Sequence, residues 1–245
     1  MVVPVQQIDR TTTQRTIIML GMHRSGTSTL AGSLEAGGVD LGVTNASSFD
    51  NVKGNRESRR IMIMHNDLLV RNGGSWHQPI QPLKWEPIHY AIRDLVIESY
   101  AESAIWGFKD PRTLFTLNGW LDVLPAAELV GIFRHPFFVA ESLKRRNDMP
   151  YEQGLELWLN YNRVLLWYFN NLQEFPIIEF TQSNEAFKSQ LNSLGEVLHL
   201  TDKCDSFFEP SLRQSKLPKP DMSTVARQAL VLYEKLQLVC TLRAA

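Results

Sequence analysis

The stretch Gly21-Met22-His23-Arg24-Ser25-Gly26-Thr27-Ser28 places two glycines, three hydroxyls and one arginine within eight positions. Thr16 to Leu20 precedes it as an apolar run that reads as a buried strand, and Thr29 to Ala36 follows with the pattern of a helix. A strand, a glycine-bearing turn and a helix aim several backbone N–H groups at one point, with the positive end of a helix dipole behind them. The chemistry this predicts is anion binding. The spacing is that of the phosphate loop G-x-x-x-x-G-K-[ST] with one change: Thr27 stands at the lysine position, and the cation lies three residues earlier, at Arg24.

Three further polar clusters stand beside or just after predicted strands: Glu57 with its approach loop, Lys109-Asp110-Pro111-Arg112, and Arg134 with the helix that follows. In an open parallel sheet, ligands bind beyond the carboxyl ends of the strands, so the four clusters are expected to converge. A nucleoside triphosphatase needs the loop lysine on the phosphates and a magnesium ion held partly by an aspartate that ends a hydrophobic strand. Here the strand ends carry Lys109 and Arg134, and Asp110 is wedged between cations. Positive charge supplied by protein suits transfer of a singly charged group such as a sulfonate, with no metal.

The elements that must position these groups follow from periodicity. Apolar runs at 104–109, 128–133 and 176–180 read as three more strands, and amphipathic helices are expected between them. Alternation of strand and helix predicts an α/β fold with a mostly parallel sheet covered on both faces. No linker divides the chain, so residues 1–245 read as one domain, with 1–15 a loose lead-in. The polar stretch 201–221 reads as a flap, and Trp158 and Trp167 as core. Net charge is −1 and no apolar run reaches the length of a membrane span, which argues against nucleic-acid and membrane partners. Two cysteines, Cys204 and Cys240, make neither a disulfide framework nor a metal site and read as reduced thiols of a cytoplasmic protein.

At these residues the chain resembles the PAPS-dependent sulfotransferases, most of all the bacterial carbohydrate-sulfotransferase-like branch. Gly21 to Ser28 resembles the loop for the 5′-phosphosulfate. Phe133-Arg134-His135-Pro136 with Ser142 resembles the 3′-phosphate element, and Trp106 to Arg112 a K-D-P segment. Val52-Lys53-Gly54-Asn55-Arg56-Glu57 resembles a K-G-x-x-E segment whose glutamate lies near the acceptor. Many family members carry lysine where Arg24 stands; arginine keeps the charge as a planar fork. The resemblance implies a three-layer fold related to P-loop nucleotide kinases, with PAPS as donor, PAP as product, no metal, and in-line transfer to a hydroxyl or amine of a small-molecule or carbohydrate acceptor. It implies donor contacts from His23, Arg24, Ser25, Gly26, Thr27, Ser28 and Thr29 at the 5′ end and from Arg134 and Ser142 at the 3′ end. Arg213 would close on the nucleotide from the flap. Arg24 and Lys109 would clamp the transferring group, with Glu57 as general base. Arg112, Trp76 and Trp85 would meet the acceptor.

Each assignment has a plainer competitor. Glu57 could pair with Arg60 on a helix surface, and His65, His77 or His89 could be the base, although His65 falls on the apolar side of its helix. Asp110 reads as an orienter of cations, and Lys144, Arg145 and Arg146 as a solvated helix end that complements the dipole. Two other functions share this fold: a nucleotide-kinase-like phosphotransferase, and a non-catalytic domain that binds PAP or PAPS.

Overall fold

The computed structural model describes residues 14–45, 53–172, 174–212 and 223–240. Strands β1 (Arg15–Leu20), β2 (Ile105–Lys109), β3 (Glu128–Phe133) and β4 (Ile177–Glu179) form one sheet in the order β2-β1-β3-β4. Every pairing is parallel. The four apolar runs read from the sequence are these four strands. Along β1 the side chains alternate between two cores. Ile18 and Leu20 join one with Trp106, Phe108 and Phe133, while Ile17 and Met19 join another with Val130, Ile132 and Ile178. A sheet buried on both faces explains why the strands are continuous apolar runs.

Helices cover both faces and give the expected three layers. In chain order they are α1 (Thr27–Ala36), α2 (Arg59–Arg71), α3 (Pro87–Glu98), α4 (Thr113–Leu121), α5 (Pro136–Asn147), α6 (Tyr151–Asn171), α7 (Asn184–Val197) and α8 (Thr224–Leu238). The chain leaves β1 towards β2 on one side and reaches β3 on the other, so the strand order reverses at β1. Met19 lies opposite Lys109, and Leu20 opposite Gly131, so the ends of β1, β2 and β3 come together at that reversal.

Three expectations are corrected. Arg15 is not part of a loose lead-in: it opens β1, and its guanidinium pairs with Glu128 of β3 at 2.7 Å and donates to the Leu198 carbonyl. The stretch 201–212 is not a flap. It forms short 3₁₀ turns at Cys204–Phe207 and Pro210–Leu212, and buried Cys204 and Phe208 belong to the core on the α1 and α7 side. Trp167 is not core, for it is 53% exposed. The buried face of α6 runs through Trp158, Tyr161, Leu165, Tyr168 and Phe169, and helical spacing turns 167 away from that line. Arg213, the remainder of the expected flap and residues 1–13 lie outside the described residues. Among the described residues no helix is long and apolar enough to cross a membrane.

Candidate active site

The loop after β1 is shaped by backbone conformation. Arg24 has φ +66° and Gly26 φ +86°, both left-handed, separated by Ser25, whose N–H bonds the Met22 carbonyl at 3.2 Å. Left-handed residues set into a tight turn are the geometry of an anion nest. Gly26 also caps α1, and having no side chain it supplies no acceptor for the first-turn amides. A Cβ at Gly26 would lie 2.6 Å from the Phe180 ring, which leaves room for glycine alone. The buried Ser25 Oγ has no hydrogen-bond partner among the described residues.

Beyond this loop lies a cavity of about 240 Å³ lined by residues that include His23, Arg24, Ser28, Glu57, Lys109 and Arg112. Lys109 projects from the end of β2. Its Nζ donates to Glu57 Oε1 at 2.7 Å and lies 3.5 Å from Ser28 Oγ. Both members of the pair are buried. Burial lowers the Lys109 pKa, because the ammonium has lost its water; Glu57 acts to raise it, and the net shift is downward. Glu57 reaches this position from a loop in which Arg56 adopts φ +55°. Asn55 is tied to α1, its carbonyl accepting from Ser28 Oγ at 3.1 Å.

Asp110 is engaged with its neighbours. Arg112 donates to both its carboxylate oxygens at 3.0 Å, and His65 Nδ1 faces it at 3.6 Å. Burial acts to raise this carboxyl, but Arg112 and His65 outweigh it and hold it far below the usual carboxylate range. His65 accepts from the Trp120 indole at 2.9 Å through Nε2, which leaves Nδ1 to carry the proton towards Asp110. His65 is therefore a packed, network histidine. His89 is another: its Nδ1 accepts from the Glu86 N–H at 3.0 Å, and its Nε2 faces Asp67 at the same distance. His77 is hydrogen-bonded to Ser75 and does not line the cavity.

His23 does line it. Its ring packs against Trp76 at 4.9 Å and edge-on to Tyr161 at 5.9 Å, and its buried Nε2 has no hydrogen-bond partner among the described residues. Burial, then Arg112, push the imidazole well below its ordinary pKa, so it is neutral at pH 7. Arg24 donates from Nε to Ser142 Oγ at 2.8 Å, which joins the residues expected at opposite ends of the donor. Arg134 lies under the loop, its guanidinium between the rings of Phe138 and Phe180 at 5.0 and 5.1 Å and its Nη1 3.4 Å from the Arg24 carbonyl oxygen.

Two solved structures share this architecture. One is the sulfotransferase domain from the Synechococcus PCC 7002 olefin synthase: TM-score 0.60, 15% identity, 94% of this chain and 98% of that one covered. The other is the sulfotransferase domain from the curacin biosynthetic pathway: TM-score 0.56, 14% identity, with 91% and 99% covered. The chain has the sulfotransferase fold. No family model and no curated protein matches the sequence. The likeness is one of fold, with almost the whole of each sulfotransferase domain covered.

Within this sulfotransferase fold the cavity gathers His23, Arg24, Thr27, Ser28, Glu57, Lys109, Arg112 and Trp76 from the sequence-derived set. Trp85 is not with them; it lines a separate cavity, stacked on Tyr90 at 5.5 Å. Lys53 of the K-G-x-x-E segment points away, pairing with Glu209 at 2.8 Å and lying over the Phe207 ring. Sequence reasoning missed Arg146, which lines the cavity from the end of α5 rather than serving only as a solvated helix end. The signal was present: Arg146 lies one helical turn beyond Ser142, on the same face.

Proposed function

We propose that the protein transfers a sulfonate group from PAPS to the hydroxyl of a small-molecule acceptor. The observation that carries this is the cavity at the strand ends. There the left-handed turn of the 21–28 loop, with Arg24, meets Lys109, Arg112 and Arg146, while Asp110, which follows the end of β2, is held by Arg112. A magnesium-dependent phosphotransferase needs that carboxylate for its metal. The likeness in fold to two sulfotransferase domains supports the reading.

The loop amides of 25–29 with Arg24 hold the 5′-phosphosulfate, and Arg134 with Ser142 the 3′-phosphate. PAPS supplies a sulfonate whose bond to the 5′-phosphate oxygen is the one that breaks. Glu57 takes the proton of the acceptor hydroxyl as that oxygen bonds to sulfur. Arg24 and Lys109 face the negative charge that collects on the departing oxygen, in a site where burial strengthens the attraction. In the resting site Lys109 is engaged with Glu57. A sulfonate that draws the ammonium to its own oxygens frees the carboxylate to act as base. Arg112 and Trp76 meet the acceptor, a carbohydrate or small alcohol.

The test is a thermal-shift titration with PAP, PAPS, ATP and ADP, each with and without magnesium. Selective stabilisation by PAP, about 2.7 kcal/mol at one hundred times Kd, is expected. Stabilisation by ATP with magnesium alone would move the protein to phosphoryl transfer. Tight PAP binding with no sulfonate transfer across a broad acceptor panel would leave a binding domain. Arg24→Ala is expected to abolish transfer in a folded protein.

A further inference from the structure

A larger cavity lies apart from the one at the strand ends. It measures about 520 Å³ and lies between the 81–85 segment, α4 and α6. Four aromatic side chains, Trp85, Phe115, Trp167 and Tyr168, line it together with Leu83 and Val164. That volume is in the range that holds a small organic ligand. Trp167 lines the cavity with about half of its surface in water.

The charge around this cavity has one sign. Arg163 lines it and also lines an adjoining trough between α6 and α8, where Arg227 and Lys235 stand. Neither lining contains an aspartate or glutamate. All three cations are exposed, and none forms an ion pair among the described residues. A purely apolar occupant would leave the field of Arg163 unused, and a cationic one would be repelled by it. Flat aromatic walls suit an aryl body, which stacks on tryptophan and tyrosine faces. A guanidinium at the rim suits a carboxylate, which it binds as a fork.

We propose that this cavity is a binding site for an aryl carboxylate, its ring system between Trp85, Phe115 and Tyr168 and its carboxylate on Arg163. The site is separated from the strand-end cavity by a wall of aromatic contacts. Phe115 meets Tyr161 edge-on at 4.7 Å, the Tyr161 hydroxyl donates to the Trp76 carbonyl at 2.7 Å, and Trp76 packs on His23. Its occupation does not depend on what chemistry the strand-end cavity performs.

Isothermal titration calorimetry of the full chain with 2-naphthoate, 2-naphthol and 2-naphthylmethylamine at pH 7 tests this. One equivalent of 2-naphthoate is expected to bind, more tightly than 2-naphthol, with the amine weakest. Arg163→Gln, on an exposed position that leaves the melting temperature unchanged, is expected to weaken 2-naphthoate by about tenfold or more and to leave 2-naphthol unaltered. Trp85→Ala is expected to weaken both. Equal affinity for the acid and the alcohol, indifference to Arg163→Gln, or the absence of saturable binding would each overturn the assignment. A PAP titration run alongside reports on the strand-end cavity separately, so failure of one site is not mistaken for failure of the other.

Discussion

Lys109 Nζ lies 2.7 Å from Glu57 Oε1, and the two side chains are 1% and 9% exposed. A buried pair of this kind is costly to break, because the survivor keeps its charge without its partner. Glu57→Gln and Lys109→Met are each expected to destabilise the protein by about 3–5 kcal/mol, while the double variant recovers most of that loss. Urea unfolding of the four proteins measures the coupling. Additive losses would show that the pair does not act as a unit.

The same pair fixes a pH dependence. Burial lowers the Lys109 pKa below its ordinary value, so between the folded and unfolded values the unfolded chain binds more protons and stability rises with pH. Removing Glu57 lowers the folded value further. The stability gap between wild type and Glu57→Gln is therefore expected to narrow as pH rises from the variant's folded lysine value to that of the wild type, both below the ordinary value of about 10.4. A gap that stays constant from pH 7 to 10 would remove Lys109 as its source.

Gly26 and Gly73 offer a matched comparison. Both have φ near +85°, at +86° and +82°, yet a Cβ at Gly26 meets the Phe180 ring at 2.6 Å while one at Gly73 meets nothing within 4 Å. Alanine at Gly73 is expected to cost only the left-handed backbone penalty, about 1–2 kcal/mol. Gly26→Ala adds overpacking of about 1–3 kcal/mol. It also distorts the turn above Arg134, so PAP affinity is expected to fall with it and not with Gly73→Ala. Equal melting temperatures for the two variants would refute the contact argument.

Much of this was legible in the residues. The four strands are apolar runs because a parallel sheet is buried on both faces, and the loop announced itself through glycine, hydroxyl and arginine spacing. The convergence of Arg24, Lys109 and Glu57 followed from strand ends meeting at one edge. What was hidden depended on side-chain direction and long-range partners. Arg146 looked like one of three helix-end cations until its turn of α5 faced the cavity. Trp85 and Trp76 lie in one irregular stretch, yet packing sends them to different cavities. Trp167 has the composition of a core residue and the helical phase of a surface one.

Phe207 links the 204–207 turn to the segment that carries Glu57. Lys53 and Arg56 lie over its ring at 4.4 and 4.8 Å, and Arg56 also pairs with Glu35 on α1. Each cation–ring contact contributes about 0.5–1 kcal/mol. Phe207→Leu is expected to loosen this approach loop at a stability cost of about 1–2 kcal/mol. PAP affinity is expected to hold, because the anion nest is untouched, while kcat falls with the positioning of Glu57. A variant that lost PAP affinity and kept kcat would contradict that division.

His135 ties stability to acid. Its Nδ1 accepts from the Phe137 N–H at 3.2 Å and so caps α5, a contact open only to the unprotonated nitrogen. Burial, helped by neighbouring Arg134, lowers its pKa to about 4. The unfolded histidine titrates near 6.5, so as pH falls below that value the unfolded chain takes a proton that the folded chain refuses. This contribution is fully present above pH 6.5, is lost progressively down to about pH 4, and then levels off. Asparagine at this position caps without titrating in that range. His135→Asn is therefore expected to flatten the stability profile between pH 6.5 and 4 while matching wild type near pH 7.5. A parallel decline of both proteins would assign the acid sensitivity to other groups.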